Sequence, residues 1–219
     1  MMMWIRRVAL ATVIALGLSW PVMGYADDQG EWYARAGALE ALYHSDAEIA
    51  TPEGVITGAS AKVSNNTTAI IELGYDFTPR AFAMLMVGVP PRPRITATGS
   101  IAEAGELGAV TYGPAVLTGG FRLPIANRLQ FYAGTGVVYA IILRNHDATI
   151  SNLDVHNHFG YAIQTGLEYT LSPRWAIYAD VKQLWLSVDA TGVLGDIPVA
   201  AKLRLNPTLL SFGGKFRLN

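Results

Sequence analysis

Residues 158–185 read HFGYAIQTGLEYTLSPRWAIYADVKQLW, two runs of alternating character about a Ser172-Pro173-Arg174 turn. Phe159, Tyr161, Ile163, Leu167 and Tyr169 fall on one parity of the first run, and Trp175, Ile177, Val181 and Trp185 on the same parity of the second. Gln164, Glu168, Asp180 and Lys182 occupy the other parity. Successive side chains of a strand point to opposite faces, so this is a β-hairpin with one apolar and one charged face.

The pattern recurs along the chain. Eight segments carry it, near Trp32–Tyr43, Thr67–Phe77, Ala81–Val89, Val110–Leu123, Leu129–Leu143, His158–Leu171, Trp175–Val188 and Lys202–Leu218. Their connections alternate in length. Thr78-Pro79-Arg80, Pro124 to Arg128 and Ser172 to Arg174 are short turns. His44–Asn66, Pro90–Ala109, Arg144–Asn157 and Asp189–Ala201 are long, and rich in Gly, Pro, Asn and charge. An even strand number with short turns at one end and long loops at the other predicts an all-β protein, an eight-stranded antiparallel transmembrane up-and-down β-barrel.

A soluble sandwich or lipocalin-like barrel is the competing reading, and the faces decide between them. The apolar parity adds Ile71, Leu73, Tyr75, Phe77, Leu85, Val87, Leu117, Phe121, Phe131, Val137, Tyr139 and Ile141, and no charge interrupts it. Its aromatics sort by height. Tyr75, Phe77, Phe121, Phe131, Tyr169 and Trp175 flank the short turns, while Tyr139, Phe159, Tyr161 and Trp185 lie toward the long loops. Two aromatic girdles bounding an apolar band match a bilayer, and a soluble core has no reason to sort its rings this way.

Composition agrees. The 219-residue chain is 51% hydrophobic, has no cysteine and carries a net charge of −1. Its mean hydropathy is +0.28, yet beyond the N-terminus no 18-residue apolar stretch exists. At the N-terminus Arg6 and Arg7 precede an apolar run from Val8 to Trp20, and Gly24 and Ala26 precede Asp27. That run is shorter than the roughly 20 residues of a spanning helix, so residues 1–26 are expected to be a cleaved secretory signal and 27–219 the barrel. The expected location is the bacterial outer membrane, with both termini periplasmic and the lipid bilayer as first partner.

The inward parity divides by height. Near the short turns lie Arg35, Glu72, Asp76, Arg122, Glu168, Asp180, Lys182, Lys215 and Arg217, with Gln130 and Gln164 among them. This is a charged plug, whose members must pair to persist away from water. Nearer the long loops lie Met84, Met86, Tyr112, Val116, Val138, Ala140, Ile142, Leu184, Leu186, Val188 and Leu209. This apolar cup is either packed filler or a site for one small apolar molecule, the two options an eight-stranded interior allows. Gly134, Gly136, Gly160, Gly166 and Ala162 also face inward and favour room over filling.

Chemistry beyond binding finds little support. His44, His146, His156 and His158 all fall on loops or their edges; Ser151, Asp154 and His156 share a loop with nothing to fix them as a catalytic set. His156 and His158 with Asp154 have a loose metal-ligand spacing, but such pairs are usually solvated. Gly134 and Gly136 lie mid-strand, without the helix an anion-binding glycine loop needs. Neither catalysis nor a metal or other cofactor is expected, and interspersed charge gives no nucleic-acid footprint.

Several stretches resemble the outer membrane protein W (OmpW) family. Residues 91–102 (PRPRITATGSIA) resemble its second extracellular loop, and 132–139 (YAGTGVVY) its fifth strand. Thr165 to Tyr169 with Trp175 resembles its sixth strand, turn and seventh strand, and Arg204 to Pro207 with Phe212 to Arg217 its last strand. The similarity runs from about Trp32 to the C-terminus. The resemblance implies an apolar channel admitting small hydrophobic molecules, closed toward the periplasm, with exit sideways between strands. It also implies help from the outer-membrane assembly machinery. Two departures stand out: Leu218-Asn219 replaces the family's terminal aromatic, and Asn206 its usual Asp before Pro207.

Overall fold

The computed structural model describes residues 30–218; the signal expected at 1–26 lies outside them. Eight strands close a barrel: β1 (Glu31–Leu42), β5 (Asn66–Asp76), β6 (Ala81–Gly88), β8 (Glu106–Ala126), β9 (Leu129–Asp147), β11 (His158–Thr170), β12 (Trp175–Trp185) and β15 (Thr208–Arg217). The ring runs β8-β6-β5-β1-β15-β12-β11-β9 and shuts through the β8–β9 ladder. Every neighbour is antiparallel, so no edge remains to present unpaired backbone groups to lipid.

The two faces are as different as the alternation demands. Phe159 is 74% exposed and Phe121 and Tyr161 66% each, while Arg35, Glu168, Lys182 and Lys215 are at most 1% exposed. A water-soluble protein has the reverse arrangement, so the outside is a lipid surface. Among the described residues no helix is long and apolar enough to cross a membrane, and the crossing is made by strands. The girdle rings touch their neighbours across strands, as in the stacked Tyr139–Phe159 pair with centroids 4.3 Å apart.

The long connections are largely strands rather than the irregular loops their composition predicts. They are β2 (Asp46–Thr51), β3 (Gly54–Val55), β4 (Ala59–Val63), β7 (Arg94–Gly99), β10 (Ile150–Val155), β13 (Ser187–Leu194) and β14 (Ile197–Arg204). β8 and β9 have 21 and 19 residues, about twice the 9–11 a spanning strand needs. Their upper halves therefore rise beyond the bilayer. β7 pairs with β8 and β4 with β7, while β10-β13-β14-β2-β3 form a second sheet. Side chains join the two sheets, with the Ala47 N–H donating to Ser60 Oγ at 3.1 Å and Ser60 Oγ to Asp46 Oδ1 at 2.9 Å. The result is a second tier of wall standing on the barrel.

Two predicted strands need correction. Trp175–Val188 breaks between Trp185 and Ser187, and Lys202–Leu218 breaks between Arg204 and Thr208. The cause is local. Pro207 has no N–H to give the ladder, and Asn206 stands at φ +32°, where asparagine is tolerated better than most residues. Its side-chain Oδ1 accepts from the Leu186 N–H at 3.2 Å, and its carbonyl accepts from Gln183 Nε2 at 3.1 Å. Asn206 thus stitches both breaks together where β12 and β15 leave the barrel for the upper tier.

An apolar conduit above a buried ion network

The inward residues near the short turns form one bonded network. Glu168 accepts from Arg35 Nη2 at 2.8 Å, Arg122 Nη1 at 2.9 Å and Lys215 Nζ at 2.9 Å. Lys182 Nζ lies 2.8 Å from Glu72 and 2.6 Å from Asp180. Asp76 lies 2.9 Å from Arg122 and 3.5 Å from Lys215. Arg217, expected among them, sits instead at the rim, 3.8 Å from Glu31 and donating to the Pro173 carbonyl. Its departure leaves four cations against four carboxylates, a formally neutral set. Neutrality matters, because an uncompensated charge in a low-dielectric interior is costly.

Aromatic rings that the charge pattern did not single out complete this layer. The Arg35 guanidinium lies over Tyr178 at 4.6 Å and Tyr132 at 4.8 Å, Arg122 over Phe82 at 4.6 Å, and Lys215 Nζ over Tyr33 at 4.0 Å. Tyr33 and Tyr132 hydroxyls also bond Arg122 and Asp180. The signal was available: all four rings share parity with the charges. Their rings need flat ground, and glycine supplies it. A Cβ on Gly74 would fall 2.1 Å from Tyr33 and one on Gly166 2.4 Å from Tyr132. Gly166 therefore seats a ring, rather than leaving the lumen open. Met84 packs in this layer with Tyr33, Phe82 and Tyr132, below the cup to which its sequence position assigned it.

Above the network lies a small apolar cavity, bounded by Leu39, Ile70, Met86, Val138, Leu184 and Leu209, with Leu186 and Tyr112 higher up. Val116 is fully buried in the same apolar cluster. A second apolar cavity lies in the upper tier. Every upper strand except β3 contributes to it, among them Ile49, Ile95, Ile150, Val155, Val199 and Leu203, and Ile142 of the cup lies here. At the outer end Thr191, Gly192 and Val199 also border a shallow surface depression with Thr51, Pro52 and Pro198. Tyr43 and Tyr112 border both inner cavities, and their hydroxyls hydrogen-bond across the lumen. The interior is thus two apolar chambers with a tyrosine neck between them.

One stretch of wall beside the lower chamber is short of backbone donors. Between the Val87–Ala115 and Arg94–Ala109 pairs the sequence places Pro90, Pro91 and Pro93 against Pro114. There β8 is held by Tyr112 N–H to Pro91 O and Val110 N–H to Pro93 O, both 3.3 Å. The histidines go to separate carboxylates, His156 3.4 Å from Asp154 and His158 3.2 Å from Asp189.

Comparison with known proteins places the chain. It is 28% identical to outer membrane protein AlkL of Ectopseudomonas oleovorans over 90% of this chain and 86% of that one. It is also 28% identical to the dibenzothiophene metabolism operon protein PahQ of Pseudomonas aeruginosa, over 84% and 87%. Its fold matches the crystal structure of the outer membrane protein OprG from Pseudomonas aeruginosa with a TM-score of 0.80, 18% identity and coverage of 87% and 96%. The OmpW family model matches residues 28–218, nearly the whole described barrel. The chain is a bacterial outer-membrane β-barrel and belongs to the OmpW family.

Proposed function

We propose that the protein lets small hydrophobic molecules cross the outer membrane passively through its apolar chambers, while the ion network seals the periplasmic end. The observation that carries this is the continuity of the lining. From Thr191 and Val199 in the upper tier, through Tyr43 and Tyr112, to Leu184 and Met86 above the charges, the wall offers almost no polar atom other than the tyrosine hydroxyls. Water gains little from entering such a space, whereas a small apolar solute is favoured by its apolar walls. A relative from an operon named for dibenzothiophene metabolism supports an apolar cargo.

The closed lower end directs cargo elsewhere. A molecule in the lower chamber faces four cations and four carboxylates in one network beneath it and the donor-poor Pro91–Pro114 wall beside it. Parting that wall breaks few hydrogen bonds and opens onto lipid, where an apolar solute is stable. Lateral release is the favoured exit.

Uptake of a small apolar fluorescent probe by whole cells tests the reading. Cells with the wild-type chain should take it up faster than a deletion strain. Met86→Glu and Leu184→Arg should return uptake to the deletion level while the protein still shows the heat-modifiable migration of a folded barrel. Equal uptake by wild type, variants and deletion strain would refute transport and favour a packed barrel with a structural or adhesive role.

A further inference from the structure

The outward face of the upper tier is charged unevenly. Over most of it each cation has an anion in register: Lys202 stands opposite Glu48, Arg204 opposite Asp46, and His158 beside Asp189. The β4-β7-β8-β9 side differs. Arg92 and Arg94 alternate with buried Pro91, Pro93 and Ile95, so both point outward. Arg94 pairs with Ala109, which pairs with His146, and Thr111 pairs with Arg144, placing these residues on one outer surface. Lys62 joins them through its pairing with Thr96. Four basic side chains therefore share this surface with Glu106, whose carboxylate reaches only Arg94, at 4.0 Å. Arg92 and Arg144 have no acidic partner among the described residues.

Height gives the cluster meaning. Directly below it the outer wall is apolar, with Val87 46%, Val89 61% and Leu143 55% exposed. The cluster thus begins where the lipid-facing band ends, at the level of the outer-leaflet headgroups. Arg92, Arg94, Glu106 and Ala109 border a shallow depression there. Local desolvation first, and then the nearby Arg92 and Arg144 guanidinium groups, hold the His146 imidazole below its usual range. A positive field that Glu106 offsets only at Arg94, with Arg94 and Arg144 carried on strands beside lipid, suits a phosphate.

We propose that Arg92, Arg94 and Arg144, assisted by Lys62, bind the phosphomonoester headgroup of an outer-leaflet glycolipid. Guanidinium forks engage the phosphate oxygens, Thr111 and His146 offer further polar atoms, and the acyl chains lie along Val89 and Leu143. One lipid is thereby held against the wall nearest the Pro91–Pro114 stretch.

The test uses full-length protein refolded in phosphatidylcholine vesicles doped with bisphosphorylated lipid A or its dephosphorylated form. After mild detergent extraction and gel filtration, lipid retained per barrel is measured by mass spectrometry. Wild type should retain the phosphorylated lipid selectively. The triple variant R92Q/R94Q/R144Q should lose at least about tenfold of it, since each charge-assisted hydrogen bond is worth about a factor of ten or more. K202Q/R204Q, on the balanced side, should retain it fully. All substituted residues are exposed, and heat-modifiable migration checks folding; Arg144→Gln alone serves if the triple variant fails. Equal retention of both lipids, or equal loss from both variants, overturns the proposal. So does displacement by inorganic phosphate at the lipid's own concentration, which would make the site one for free phosphate.

Discussion

Glu168→Gln removes the carboxylate on which three cations converge, with little change in shape. Each contact is near 2.9 Å, so at an effective dielectric of about 20 the gross attraction is about 6 kcal/mol per pair. Desolvation of the ions offsets most of that sum. The useful magnitude is the cost of leaving a buried charge without its partner, about 3–5 kcal/mol. Glutamine keeps one acceptor but turns its amide protons toward guanidinium and ammonium groups, and the network goes from neutral to +1. The expected loss is therefore at the upper part of that range. It can be read by guanidinium unfolding in lipid vesicles, followed by the fluorescence of lipid-facing Trp32, Trp175 and Trp185. The double variant Glu168→Gln/Lys215→Met restores three cations against three carboxylates and should recover roughly half of the loss. A single variant within about 1 kcal/mol of wild type would refute the claim that this cluster is electrostatically closed. A double variant no better than the single would refute charge balance as its basis.

Two further outcomes follow from the upper half of the molecule. Tyr112→Phe deletes the neck hydrogen bond without changing ring volume; at about 1 kcal/mol for such a bond, uptake of the apolar probe should rise about fivefold, and Tyr112→Trp should lower it, both measured against equal amounts of folded protein. Asn206→Ala loses the bond to the Leu186 N–H and places an alanine at positive φ; the combined cost is about 2–3 kcal/mol in the same unfolding assay, whereas Asn206→Gly should cost less because only the hydrogen bond is lost.

The membrane-crossing strands were legible because their two faces differ so sharply. Ile163 and Gln164 cannot exchange faces without exposing an amide to lipid, and one such conflict per strand fixes its register. The inward-facing charges of the ion network were legible for the same reason. Its neutrality was not, since nothing in the spacing of Arg217 shows that β15 carries it past the end of the layer to Glu31. The upper tier was hidden by weak contrast. Ala47 and Ile49, Ala59, Ala61 and Val63, or Ile95 and Ala97 do alternate inward, but the strands have 2–8 residues, many of their inward side chains are small, and Gly, Pro and charge punctuate them as they would a loop. The role of Asn206 was hidden from the sequence because its partner Leu186 is 20 positions away; nothing in the structure explains asparagine there rather than aspartate.

On the proposed passage of apolar molecules, that upper tier answers a physical problem that the barrel alone does not. A solute carried by apolar walls is lost to the path wherever those walls stop, and the lipid-facing band of β9 ends near Leu143 while the headgroup layer continues above it. An interior opening at that height would deliver its mouth into charge and sugar. β8 and β9 instead extend upward to Glu106 and Asp147, β7, β10, β13 and β14 build on them, and their inward Val, Ile, Leu and Ala residues prolong the same apolar lining outward. Their outward faces meanwhile turn polar, with Lys62, Arg94, Arg144, Lys202 and Arg204 all exposed. The change of solvent thus falls on the outside of the wall alone, while the inside stays apolar above the ion network except at the Tyr43–Tyr112 hydroxyls. Uniformity on one face and a switch on the other requires period-2 side chains, which a strand provides and an irregular loop does not; this is why the long connections fold as sheet despite a composition suited to loops.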